Sequence, residues 1–151
     1  MDDINNNYRR ACRITIVNKS IILSEKDKQE LAKHAESEKP YESCAILVGN
    51  ETDENWTVKE IILTENTAKS KVTFTISPDK EFKVDQKAKE SNMEIVCIFH
   101  SHPESEAQPS ETDKKFMRVN PFPWIIYSGK TKEMKCFILQ DENVKQISII
   151  E

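Results

Sequence analysis

Two histidines one residue apart, His100 and His102, close the apolar run EIVCIF, and a serine and an aspartate, Ser110 and Asp113, follow downstream. In a helix, residues two apart point in nearly opposite directions; in a strand they share a face. EIVCIF is rich in β-branched and aromatic residues, so both imidazoles are expected on one side of a strand. Their Cα atoms would stand about 6.6 Å apart at a rise of ~3.3 Å per residue. Two ring nitrogens can converge across that gap on one ion at about 2.0–2.1 Å. Pro103 ends the ladder and biases His102 toward extended backbone. Taken alone, the pair reads more readily as two half-exposed polar groups at a strand end than as metal ligands, and the residues that follow carry the distinction.

Ser110-Glu111-Thr112-Asp113 has the form of a capping box, in which Ser110 opens a helix and Asp113 answers it. The other reading makes Asp113 a third ligand. Two nitrogens and one carboxylate oxygen leave the fourth position of a tetrahedral ion open, which is the pattern of catalytic rather than structural zinc. Ser110 would then offer its hydroxyl to a water or a developing oxyanion. Ser110 can do both; Asp113 is not expected to serve both roles fully. A hydrolytic centre also needs a general base. Glu42 opens the run ESCAILVG, and strand alternation places it on the face of Cys44, Ile46 and Val48. A carboxylate leading into a buried strand needs a partner; a water beside a cation is one, a lysine or a backbone N–H another.

The elements that must hold these residues are legible in outline. ACRITIV (11–17) reads as a strand. A helix begins at Ser24 as N-cap, with Asp27 as its capping-box partner and Leu31 and Ala35 on its apolar side, and stops before Pro40. YESCAILVG, ending at Gly49, and WTVKEIILT read as strands, and KVTFTI as a further candidate. A second helix starts at Ser77 with Pro78 in its first position, where the missing N–H costs nothing. MEIVCIFHSH is a strand, SETDKKFMR a short helix, and WIIYSG, EMKCFILQ and VKQISII are three closing strands, the first two joined by the turn SGKTKE. His34 is expected at the surface of the first helix, and Trp56 and Trp124 as core anchors. The 151 residues fit one domain, and a formal charge of -4 argues against a nucleic-acid binder. The four cysteines are widely spaced with no C-x-x-C pair and read as buried reduced thiols. With two glycines in the chain there is no phosphate-cradling loop. No apolar run approaches the ~20 residues of a membrane span and no signal peptide is evident, so a soluble cytoplasmic protein is expected.

The string His100-Ser101-His102-Pro103, with Ser110 eight positions after His102 and then Asp113, resembles the H-[S/T]-H-P-x(6)-S-x-x-D motif of the JAMM/MPN-plus metalloproteases. PYESCAILVG is similar to the P-x-E-x-C-G-L-L-x-G segment that carries that family's catalytic glutamate, with Ala45 where glycine is usual. AQPSETD is close to the A-R-P-S-E-T-D wording of short prokaryotic members, and TENTAKSKVTFTISPDKEF to the intervening loop and helix start. Glu104 and Glu106 stand where the family usually has S-G-P or D-G-P.

MDDINNNYRR (1–10) is polar and expected to be flexible, and the resemblance implies one JAB/MPN domain over 11–151. Its fold class would be α/β, mixed with α+β character, with a cytidine-deaminase-like mixed sheet flanked by helices. It further implies one Zn2+ per chain, held by His100, His102 and Asp113 with water as fourth ligand. Glu42 would take a proton from that water and Ser110 would help hold the oxyanion. The implied substrate is a ubiquitin-like or sulfur-carrier protein ending in Gly-Gly, or its conjugates, cleaved after that tail. Trimming of a sulfur carrier's C-terminus and a non-catalytic MPN-type scaffold stand as alternatives. The resemblance also sets residues 66–76 beside the substrate tail, which would be bound most simply by strand addition at a sheet edge; an ordinary connecting strand is the plain alternative.

Overall fold

The computed structural model describes residues 18–151, so the expected strand over 11–17, Cys12 and the N-terminal ten residues lie outside it. In chain order the elements are β1 (Ser20–Ile22), α1 (Glu25–Glu38), β2 (Cys44–Glu51), β3 (Asn55–Thr64), α2 (Pro78–Glu90) and β4 (Glu94–His102). They are followed by α3 (Glu111–Val119), β5 (Trp124–Ser128), β6 (Met134–Gln140), β7 (Asn143–Ile147) and β8 (Ile149–Ile150). Among the described residues the strands form one mixed sheet of eight in the order β7-β6-β5-β4-β2-β3-β1-β8. β4 runs antiparallel to β2 and parallel to β5, and β1 runs parallel to β3 and β8.

Alternation along the inner strands sorts the core into two layers. Leu47, Phe99, Ile125 and Cys136 point to one face, where Leu31 and Ala35 of α1 cover them. Ile46, Ile98, Ile126 and Phe137 point to the other, under Val84 and Ala88 of α2 and Met117 of α3. Trp56 belongs to the first layer and Trp124 to the second, both buried as expected. Cys44, Cys97 and Cys136 are buried free thiols. At the β2–β3 bulge Gly49 leaves no room for a Cβ, because the Thr57 carbonyl occupies that space.

The helix starts follow local chemistry. Ser24 Oγ accepts from the Asp27 N–H at 3.1 Å, the first half of the expected capping box. Ser77 caps α2 with Pro78 in its first turn, and Ser110 caps α3.

Four expectations are corrected. KVTFTI (71–76) is not a strand; with residues 65–70 it forms a loop whose backbone is bonded by a side chain, Asn66, rather than by a neighbouring strand. VKQISII divides into β7 and β8, which lie at opposite edges of the sheet, and β2 continues to Glu51 rather than ending at Gly49. His34 is half-buried, its Nε2 standing 3.2 Å from the Cys44 carbonyl, which ties α1 to β2. Among the described residues no helix is long and apolar enough to cross a membrane.

Candidate metal centre

β4 lies inside the sheet between β2 and β5, and its residues Ile98, His100 and His102 project on the α2/α3 side. That places both histidines where α3 begins. His100 Nε2 and His102 Nε2 are 3.1 Å apart, and each is 3.1 Å from Asp113 Oδ2. The three atoms make an equilateral triangle. Donors about 2.0–2.1 Å from a tetrahedral ion stand about 3.3–3.4 Å from one another, so the triangle is close to one face of such a coordination shell. The set of two imidazoles and a carboxylate suits zinc.

Asp113 completes the capping box and at the same time faces both imidazoles. Its Oδ2 accepts the Ser110 N–H at 2.9 Å, while Ser110 Oγ accepts the Asp113 N–H at 3.0 Å, completing the capping box. The same oxygen faces both imidazoles. Helix capping therefore holds the carboxylate in place instead of drawing it away.

A second ring of contacts orients the histidines. His102 Nδ1 lies 2.9 Å from the Glu106 carbonyl. A carbonyl only accepts, so Nδ1 carries a proton; Nε2, directed into the triangle, donates to Asp113 Oδ2 when the ring is doubly protonated and would offer its lone pair to an ion when the ring is neutral. His100, fully buried, has no hydrogen-bond partner at Nδ1 among the described residues. Its ring is set by packing instead: Phe74 stacks on it at 4.7 Å and 23°, and Trp124 meets it edge-on at 5.8 Å. The loop after His102 is tied down as well, because the Gly129 N–H donates to the His102 carbonyl at 2.8 Å and Ser128 Oγ to the Ser105 carbonyl at 2.7 Å.

Glu42 arrives from β2. Cys44 pairs with His100, and the Ser101 N–H donates to the Ser43 carbonyl at 3.1 Å, so the register brings Glu42 opposite His102. Ser101 Oγ also accepts from the Ser43 N–H at 2.8 Å and from its hydroxyl at 2.9 Å. One metal-capable atom each of Glu42, His100 and His102 lies within 4.8 Å of the others. Glu42 is 3% exposed, and its Oε1 has no partner among the described residues. A buried carboxylate oxygen left unbonded beside three converging donor atoms is the mark of a site built to receive something polar.

Residues 24–140 match the family model described as prokaryotic homologs of the JAB domain. The chain belongs to that family. Among its relatives, a desampylase of Pyrococcus furiosus is 32% identical over 110 residues, covering 72% of this chain and 75% of that protein. A CysO-cysteine peptidase of Mycobacterium tuberculosis is 31% identical over 123 residues, covering 78% and 83%. A solution structure of a Desulfitobacterium hafniense protein superposes with a TM-score of 0.77 at 25% identity, over 86% of this chain and 91% of that one.

Within this JAB domain the electrostatics of the centre differ from group to group. Burial pushes Glu42 up to about 8; the nearby His102 offsets part of this and the Asp113 charge adds to it. Burial also pulls His100 below the usual histidine range, against the bond to Asp113. For His102 burial acts in the same downward sense, but the bonds to Asp113 and to the Glu106 carbonyl, with the charges of Asp113 and Glu42, carry it above. Asp113 is held far below the carboxylate range: burial opposes this, and the bonds from His100 and His102 prevail.

All five residues singled out in the sequence thus meet at one end of β4, with Ser110 present as the cap of α3. The sequence reading missed Phe74, the Glu106 carbonyl and the Ser43–Ser101 bridge. Only the last left a trace, as a serine between the two histidines and another beside Glu42. A cavity of about 230 Å³ lies between α2 and α3 beside the centre, lined in part by Phe74, Ile98, Phe116 and Trp124.

Proposed function

We propose that this JAB domain is a zinc-dependent isopeptidase that cleaves after the C-terminal Gly-Gly of a ubiquitin-like modifier. The observation that carries the reading is the triangle of His100, His102 and Asp113 with the unpartnered Glu42 carboxylate beside it. The three triangle atoms would hold the ion. When bound, zinc supplies a Lewis acid that makes water a nucleophile near neutral pH and polarises the scissile carbonyl.

The remaining steps fall to the chain's own side chains. Glu42 takes a proton from the attacking water at its unbonded oxygen and delivers it to the departing amine. The Ser110 hydroxyl accepts the Asp113 N–H through a lone pair, so its own hydrogen remains able to donate to the oxyanion. The buried walls around His100 exclude bulk water, which strengthens each of these interactions. The similarity to a desampylase supports a modifier conjugate as the substrate.

The similarity to a CysO-cysteine peptidase favours a second reading, in which the bond cut is a linear extension of a carrier's C-terminus. Both use the same chemistry. β1 pairs with β3 only over Asn55–Thr57, so the rest of β3, up to Thr64 opposite Cys44, carries no second ladder among the described residues and offers a Gly-Gly tail a backbone edge beside the centre. Residues 66–76, bonded to the Glu42 backbone, continue that edge. Incubating the zinc-replete protein with a lysine-linked conjugate and with a linear C-terminal extension separates the readings. Faster release from the lysine-linked substrate supports the isopeptidase. Faster release from the linear one supports the carrier-processing enzyme. No cleavage of either, with no zinc found by elemental analysis, leaves a non-catalytic scaffold.

A further inference from the structure

We propose that Asn66 is a positioning residue of this centre, its one carboxamide tying the backbone of the base, Glu42, to the backbone of Thr73 and Thr75 on either side of Phe74, whose ring stacks on His100. The inference rests on the peptidase reading for its catalytic consequence, and its geometry stands without it.

Asn66 is 7% exposed and sits just beyond the end of β3, where no ladder is left to bond it. Its Nδ2 donates to the Glu42 carbonyl at 2.9 Å and to the Thr73 carbonyl at 3.1 Å, with the Ser70 carbonyl farther off at 3.5 Å. Its Oδ1 accepts from the Ala68 N–H at 3.1 Å and the Thr75 N–H at 3.0 Å. A primary amide has two donor hydrogens and two acceptor lone pairs, and here every one is engaged. Aspartate has the shape without the donors, and serine has too few groups. The position calls for asparagine.

What the amide grips is specific. The bonds to Thr73 and Thr75 straddle Phe74, so one side chain clamps the chain on both sides of the ring that stacks on His100 at 4.7 Å. That stacking matters because His100 has no acceptor at Nδ1 among the described residues to fix its plane. Glu42 is held from the same loop by both backbone groups, since its N–H donates to the Ser70 carbonyl at 2.9 Å. The base and one imidazole therefore take their positions from a single buried amide. In catalysis, displacement of a reacting group by about 1 Å costs on the order of 100-fold in rate.

The test compares Asn66→Asp and Asn66→Ala with wild type, each zinc-loaded, in steady-state cleavage and in amide hydrogen exchange. Asn66→Asp is isosteric and keeps the acceptor half of the clamp, so it serves where Asn66→Ala fails to fold. Positioning predicts kcat lower by about 100-fold with KM changed less than about threefold, and zinc still near one per chain. It also predicts faster exchange of the Glu42 amide while the Ile46 and Leu47 amides of β2 stay protected. A folded, zinc-loaded Asn66→Asp protein with wild-type kcat overturns the catalytic role. Unchanged protection at Glu42 overturns the positioning itself, and that arm reads out even if the wild-type protein cleaves nothing, in which case it is the peptidase reading that fails.

Discussion

Asp113 Oδ2 meets three nitrogens at once, the Ser110 amide and two imidazoles, and each contact depends on the atom's remaining an acceptor. Capping and metal binding can be separated at this residue. An Asp113→Asn side chain can still cap α3 through its amide oxygen but lacks the charge that favours a divalent ion. The expected outcome is unchanged helical circular dichroism with zinc content well below one per chain by elemental analysis. Full zinc retention would remove Asp113 from the ligand set. Glu42 permits a separate test through stability. Its proton affinity is raised from the ordinary 4.5 to about 8, chiefly by burial. The unfolded chain therefore releases this proton first, and the metal-free protein loses stability as pH rises from about 4.5 to about 8. The amide introduced by Glu42→Gln has no proton to release, so metal-free variant and wild type should diverge in thermal midpoint as pH rises across that window, the variant melting higher at pH 8. Equal midpoints at every pH would show that the carboxylate is not buried as described.

At the scale of elements, what was legible in the sequence was local. Ser24, Ser77 and Ser110 mark their helices because a cap bonds a residue three positions away. The shared face of His100 and His102 follows from strand period alone. The 65–76 loop was not legible: its β-prone letters read as a strand, while its bonds run through Asn66 to a residue 24 positions away. Pattern methods see hydrophobicity and spacing, and a single buried amide that replaces a ladder leaves neither. Glu36 is a second feature of this kind. It joins the end of α1 to the β5–β6 turn, accepting from Lys132 Nζ at 2.6 Å and the Tyr127 hydroxyl at 2.7 Å, with Lys39 Nζ also at 2.7 Å. These contacts, Lys132 foremost, hold its carboxyl down at about 2. A depressed acid stabilises the fold above its unfolded value near 4.5, and that contribution fades as pH falls toward 2. Glu36→Gln should lower the thermal midpoint at pH 6, with the difference from wild type narrowing through this window. The pair is partly exposed, so the effect is expected to be modest and reduced by salt.

For the whole molecule, the placement of the centre follows from the order of the sheet. β4 carries the histidines between β2, which delivers Glu42, and β5, whose continuation at Gly129 bonds the His102 carbonyl. α3 delivers Asp113 onto the same face. β4 is an interior strand packed between two apolar layers, so the centre sits on a well-buried part of the fold, with the 65–76 loop and the α2–α3 cavity beside it. The membership of the chain in the JAB family was readable from the motif because the spacing of His100, His102, Ser110 and Asp113 is set by one strand, one loop and one helix turn in succession. Choice of substrate depends on surface shape, and no short motif encodes that. The central claim is cleavage after a Gly-Gly tail by a zinc centre that uses Glu42 as base, and mass measurement of the products tests it most directly. Zinc-replete protein acting on a lysine-linked modifier conjugate should release a modifier ending at its second glycine and a free lysine, with both products absent after chelation and in Glu42→Gln. Equal cleavage with and without a chelator, or a product cut elsewhere, would contradict it.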